Sequence, residues 1–380
     1  MIYLDNAATS HPKPEPVYRR MDRVAREVGA NPGRSGHRLA VEAEREIADA
    51  RREVASLLGA RDPSRIVFTL NATDALSMAF HGLLQDKDHV VTTHLEHNSV
   101  ARPLNRLEAE GRIRVTRVAT SGSGELDPDD VQRALESRTR LVVVAHAGNV
   151  LGNVQPVAAI CERLRSRGVL LLVDAAQSAG SVPIDVERDG IDLLAFAGHK
   201  SLLGPVGTGG LWVGERAMLR PWREGGTGGD SASPLQPEDL PHRLEAGTPN
   251  TAGIAGLGEA ARWLKEKRVE EVARHEAGLA RRLWERLADA GAVDLYGVPP
   301  GTGARTGIVT FNVKGHAAGE VGAILDASFG IAVRAGLHCA PGVHRFIGTF
   351  PEGAVRVSPG PFSTEQDVDT LAEAVREIAA

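Results

Sequence analysis

Val169-Leu-Leu-Leu-Val-Asp174-Ala-Ala-Gln177-Ser-Ala-Gly180 is an unbroken apolar run closed by a single carboxylate. A run of that kind is a strand buried on both faces, as in a parallel sheet, and open α/β sheets bind their ligands at the carboxyl ends of such strands. Asp174 therefore falls at a candidate site. A second run, Asp192-Leu-Leu-Ala-Phe196, leads into Ala197-Gly-His-Lys200, where small residues leave room for a bulky group to reach the amine. An acid and an amine facing one cavity fit two readings. One is a buried Asp–Lys ion pair. The other is a pyridoxal-phosphate site, with the lysine forming the Schiff base and the acid pairing with the pyridinium nitrogen.

Outward from these stretches, strands and helices alternate. Strands are expected at 66–69, 89–92, 113–118 and 141–145, with helices at 39–58, 71–84 and 157–167, which argues for a largely parallel sheet covered on both faces. The turn between Thr69 and the next helix carries Asn71-Ala-Thr73, which either caps the helix or cradles an anion. His94, Glu96 and His97 lack the spacing of the His-Glu-x-x-His zinc motif or of its inverse, so no metal site is expected there. His97 ends a strand and either packs in the core or lies over an aromatic ring. After the glycine-rich turn 204–210, Leu211 to Val213 is expected to return as an antiparallel edge strand, and 225–237 to be an exposed loop. From 291 the order changes to a small α+β unit with strands at 308–313, 331–334 and 354–357. Its loop Ala335-Gly-Leu-His338-Cys339-Ala-Pro341 carries a thiol. Arg356, among apolar strand neighbours, needs an anionic partner. The proline-rich start, His11-Pro-Lys-Pro-Glu-Pro16, reads as an irregular arm.

Composition narrows the class. The 380 residues are 42% hydrophobic and 24% charged, with a net charge of −5 and the two signs interspersed, so neither nucleic acid nor a membrane is an expected partner. The amino end lacks the basic start and apolar run of a secretion signal, and a cytoplasmic location is expected. Cys161 and Cys339 cannot build the disulfide framework of a small secreted domain. Cys161 lies on the apolar face of a helix and Cys339 is left to be chemical.

Five segments in order, Leu95-Glu-His97-Asn98, Val173-Asp174-Ala-Ala-Gln177, Gly198-His-Lys200, Glu245-Ala-Gly-Thr248-Pro-Asn and Arg334-Ala-Gly-Leu-His338-Cys339-Ala, resemble the class V aminotransferase group of pyridoxal-phosphate enzymes. Within it the resemblance is to the group II cysteine desulfurases and selenocysteine lyases, and it runs from Leu4-Asp-Asn-Ala-Ala8 to the last helix. It implies the type I fold of pyridoxal-phosphate transferases, a large domain with a mostly parallel seven-stranded sheet and a smaller α+β domain. The implied layout is an amino-terminal arm over 1–20 beside the small domain, a large cofactor domain over 21–255, and a small domain over 256–380 carrying the cysteine loop.

The resemblance also implies roles. Lys200 is then the Schiff-base lysine, Asp174 the acid on the ring nitrogen, Gln177 a donor to the ring's phenolic oxygen, and His97 the imidazole stacked on its face. Ala72, Thr73 and His199 would hold the phosphate, with Thr248 reaching it from the other subunit of a homodimer. Asn149 and Arg356 would grip the substrate carboxylate, His37 would lie near the substrate, and Cys339 would take the sulfur of L-cysteine as a persulfide. A sulfur acceptor, either an iron-sulfur assembly protein or a thiolation pathway, would follow. The alternatives are a selenocysteine lyase, a C–S lyase or an epimerase on the same fold, or a scaffold without activity. Three positions depart from the family pattern: Ala197 in place of a phosphate-binding serine, Leu337 in place of a frequent histidine, and the whole of 341–353.

Overall fold

The computed structural model describes residues 1–33, 36–227 and 233–380. Parts of the turn-rich piece at 31–37 and of the loop at 225–237 therefore lie outside the described residues.

The strands are β1 (Ile2–Tyr3), β2 (Ile66–Thr69), β3 (Asp88–Thr93), β4 (Ile113–Val118), β5 (Thr139–Ala145), β6 (Leu170–Asp174), β7 (Leu193–Ala197), β8 (Gly209–Val213), β9 (Val293–Tyr296), β10 (Val309–Val313), β11 (Ile331–Ala332), β12 (Arg334–Gly336) and β13 (Ala354–Val357). Seven form one sheet in the order β2-β8-β7-β6-β5-β3-β4, with β7, β6, β5, β3 and β4 parallel. The strand period of two sorts its side chains. Val142, Val144, Leu171, Val173, Leu194 and Phe196 face one core, while Leu141, Val143, Leu170, Leu172, Leu193 and Ala195 face the other. Burying each larger apolar side chain is worth about 1.5–3 kcal/mol, and that stabilisation lets Asp174 be carried at the end of the same strand.

One expectation needs correcting. β8 is not an edge strand, because it pairs antiparallel with β7 on one side and with β2 on the other. Its glycines make this possible. A Cβ on Gly209 would meet the Asn71 backbone at 2.7 Å, and one on Gly210 would strike the Phe196 ring. The arm is also less irregular than its prolines suggested. Glu15–Arg23 is a helix whose Pro16 lies in the first turn, where a missing N–H costs nothing.

The small unit is the antiparallel sheet β12-β13-β10-β9, packed on the helices Val269–Ala288, Ala318–Phe329 and Glu365–Ile378 through Leu283, Phe311, Val355 and Leu371. Leu4 of the arm is buried in the same core, and β1 pairs with β11. The expected domain boundary between 255 and 256 falls inside the helix Thr251–Lys267, whose Leu257, Ala261 and Leu264 pack with the large sheet.

Glu276, on the helix Val269–Ala288, faces a small cavity where arm, large sheet and small unit meet, beside Asn6, Ser10, Gln177, Ser201 and Ser358. Burial pushes its carboxyl up from 4.5 to about 8. The folded chain holds this proton more tightly than the unfolded chain. Its contribution to stability is therefore fully present below about pH 4.5 and is lost as pH rises through about 8. Glu276→Gln, which cannot ionise, is expected to melt within about a degree of the parent at pH 5 and a few degrees above it at pH 9. Parallel melting curves at both pH values would contradict this.

Candidate active site

The carboxyl ends of β3, β5, β6 and β7 and the first turn of the helix Ala72–Leu83 line one cavity. Asp174 is its acid, 5% exposed, with one carboxylate oxygen accepting the Ala176 N–H at 2.9 Å. Burial raises its pKa, opposed by that hydrogen bond and by the Lys200 charge. Lys200 opposes it from the turn after β7. Burial pulls the amine down to about 8 against the attraction of Asp174, and Arg356 and Arg334 push the same way as burial. A lysine so placed spends part of its time as a free amine near neutral pH.

His97 caps the helix Asn98–Ala109 and lines the cavity. Its Nδ1 accepts the Ser99 N–H at 3.0 Å, so the neutral ring carries its proton on Nε2. Burial first, then the charge of Lys200, lowers its pKa to about 4. Gln177 also lines the cavity and donates through Nε2 to the Ala7 carbonyl of the arm at 3.0 Å. Asn71 is the helix cap, accepting the Asp74 N–H at 2.9 Å, so the turn does cap its helix. The N–H groups of Ala72 and Thr73 still have no acceptor within the helix, and the anion cradle also stands. His199 lies opposite, its Nδ1 buried with no partner among the described residues.

Pyridoxal phosphate fits this donor set. The site offers an acid and an amine on one cavity, a neutral imidazole beside them, and a helix start next to an orphaned ring nitrogen that a phosphate oxygen would satisfy.

The cysteine loop closes over the site. Cys339 is exposed, and its sulfur lies 3.4 Å from Nη2 of Arg334. Its backbone is tied to the site, the Cys339 carbonyl accepting the N–H of Asn98 beside His97 at 2.8 Å. Arg356, 1% exposed on β13, has its anionic partner in Asp5 of the arm, at 2.8 Å, and donates to the Asn149 carbonyl at 3.0 Å. Its Nε has no partner among the described residues, which leaves one buried donor for a ligand. Asn149 lines the cavity but donates its amide to the His338 carbonyl at 2.6 Å, so it ties down the cysteine loop.

Two expected residues stand apart within the single chain. Thr248 is exposed and lines a separate open groove with Thr69, Gly207 and Arg223. His37 is the exposed cap of the helix Arg38–Leu57, with Nδ1 accepting from Ala40 N–H at 3.3 Å. Cys161 is a core thiol, donating to the Gly190 carbonyl at 2.6 Å. Asp5, Arg334 and Ser99 carry interactions here that sequence reasoning gave no role. Asp5 and Arg334 sit inside motifs that were recognised, but the partner of a single charge is invisible without the fold.

A family model for class-V aminotransferases matches residues 2–371. A probable cysteine desulfurase of Methanothermobacter thermautotrophicus is 37% identical over 384 residues, covering 100% of this chain and 94% of that protein. The apo cysteine desulfurase of Thermococcus onnurineus NA1 superimposes with a TM-score of 0.93 at 34% identity, covering 100% of this chain and 94% of that one. The S-sulfonic acid form of the cysteine desulfurase CsdA of Escherichia coli gives 0.88 at 29% identity, covering 99% and 94%. With the match running over nearly its whole length, the chain belongs to the aminotransferase class-V family.

Proposed function

We infer that the chain is a pyridoxal-phosphate-dependent cysteine desulfurase of the group II type, converting L-cysteine to L-alanine and leaving the sulfur on Cys339 as a persulfide for an acceptor. The observation that carries this reading is the exposed Cys339 thiol held at the Arg334 guanidinium, on a loop that Asn149 ties to the Lys200 cavity.

The cofactor, held by Lys200, Asp174, Gln177, His97, His199 and the helix start at Ala72 and Thr73, supplies an electron sink for charge developing at the substrate's carbons. The chain does the rest. Asp174 would face the cofactor's ring nitrogen and favour its protonated form, and Arg356 would take the substrate carboxylate, fixing which bond at the α-carbon can break. Lys200, with its amine near 8, removes the α-proton. His97 is neutral at pH 7 and presents Nε2–H, so it contributes as a flat donor and not as a cation. Cys339, held at Arg334, then attacks the substrate's sulfur as a thiolate. The S–S bond forms as the carbon–sulfur bond breaks, and the electron pair stays on the carbon that is protonated to alanine's methyl group.

The reading includes a cytoplasmic homodimer, with the groove around Thr248 facing the partner's cofactor. Two unpaired thiols support the compartment, and an exposed Thr248 on an open groove supports the dimer. The cofactor-loaded protein, given L-cysteine and a reductant, is expected to yield alanine and sulfide in equal amounts and to sediment as a dimer. Pyruvate and ammonia in place of alanine, or turnover confined to selenocysteine or to a larger thio-substrate, would overturn the desulfurase assignment.

A further inference from the structure

Cys339 stands on two consecutive non-glycine residues in the left-handed region, His338 at φ 51° and Cys339 at φ 56°. Such a pair does not hold itself, and the surroundings must impose it. The loop's carbonyls are taken from outside: His338 O accepts from Asn149 Nδ2 at 2.6 Å, and Cys339 O from Asn98 N–H at 2.8 Å. Beneath them runs a chain of side chains that no role described above uses. His338 Nε2 lies 3.2 Å from the Arg334 carbonyl, His338 Nδ1 lies 3.0 Å from His344 Nε2, and His344 Nδ1 lies 2.7 Å from Thr349 Oγ1. The two rings stack with centroids 5.2 Å apart and are 2% and 0% exposed.

One end fixes the direction of every proton. The Arg334 carbonyl can only accept, so His338 must carry its proton on Nε2. Its Nδ1 then accepts from His344 Nε2–H, and His344 Nδ1 accepts the Thr349 hydroxyl. Burial keeps both rings neutral, with values near 3 for His338 and 4 for His344. The charged groups around the thiol are then Arg334, Arg356 and Lys200.

We propose that His344 is a positioning residue for the Cys339 nucleophile: anchored by Thr349, it locks the tautomer and rotamer of His338, holds the left-handed pair in place, and so keeps the sulfur against the Arg334 guanidinium. This rests on the reading of Cys339 as the sulfur-accepting thiol. It also gives a use to part of the stretch 341–353 that departs from the family pattern.

The test is the rate of Cys339 alkylation by iodoacetamide near neutral pH in the cofactor-loaded protein, scored on the Cys339 peptide so that Cys161 does not contribute. His344→Leu is expected to slow alkylation about tenfold and to lower kcat about tenfold, with KM for cysteine unchanged. His344→Gln, whose amide can donate to His338 Nδ1, is expected to recover most of both, and Thr349→Val to shift both in the direction of the leucine variant. A leucine variant that melts earlier but keeps the parent's alkylation rate and kcat would overturn the proposal, as would a glutamine variant no better than leucine. If His344→Leu does not fold, the glutamine and valine variants decide. Parent turnover that survives Cys339→Ser would remove the sulfur-accepting role itself, and that outcome does not depend on the alkylation result.

Discussion

Lys200→Ala is expected to lower turnover of L-cysteine by at least about 10⁴-fold and to abolish covalent retention of the cofactor. The amine sits in the cavity with Asp174, and burial has already brought it down to about 8, so it is available both as the covalent anchor and as the base for the α-proton. No neighbour can replace it. His97 and His199 are held near 4 and are weak bases, and a guanidinium such as that of Arg356 or Arg334 does not act as a base. Binding of the phosphate by the helix start at Ala72 is expected to survive, so the variant should still take up cofactor on soaking and lose it on dialysis. Added methylamine should restore a small part of the rate. A variant with parent-like turnover would show that the amine is only half of a structural ion pair.

Cys339→Ser is expected to reduce release of sulfur from L-cysteine by at least about 10³-fold while leaving the covalent lysine adduct and cofactor uptake at parent levels. The substitution keeps the shape of the loop and removes the nucleophile. A serine hydroxyl cannot supply the thiolate that attacks sulfur. Cys161 cannot stand in, because it is buried on the far side of the sheet's core with its S–H bonded to Gly190, and burial raises its pKa. Peptide mass analysis of the parent after a single turnover should find one extra sulfur on Cys339 and none on Cys161. Sulfide release by the serine variant at the parent rate would remove the persulfide from the account.

The parts legible in the sequence were those with few competing explanations. A charge at the end of an unbroken apolar run, as at Asp174, has to be paired or used, and the same holds for Lys200 after β7 and for Arg356 inside β13. Parallel strands covered on both faces announce themselves through residues such as Leu170–Val173, which face both cores. What stayed hidden was pairing. Nothing within Gly209–Val213 says that β2 lies beyond it, because the partner is more than a hundred residues away. β9 went unseen because Val293–Tyr296 is a half-exposed edge whose residues alternate weakly. The helix Pro341–Phe346 opens on Pro-Gly and reads as a turn. Asp5 with Arg356, and His338 with His344 and Thr349, are contacts fixed by the folded chain, which sequence spacing does not encode. Thr248 and His37 show the opposite case. Motif position assigns them to the site, but one chain alone leaves them outside the Lys200 cavity.

The most direct measurement is borohydride reduction of the cofactor-loaded protein followed by peptide mapping. A pyridoxyl group on the peptide carrying Lys200, and on no other lysine, is the predicted result. Loaded protein that yields no adduct, or yields it on a different lysine, would contradict the account at its base.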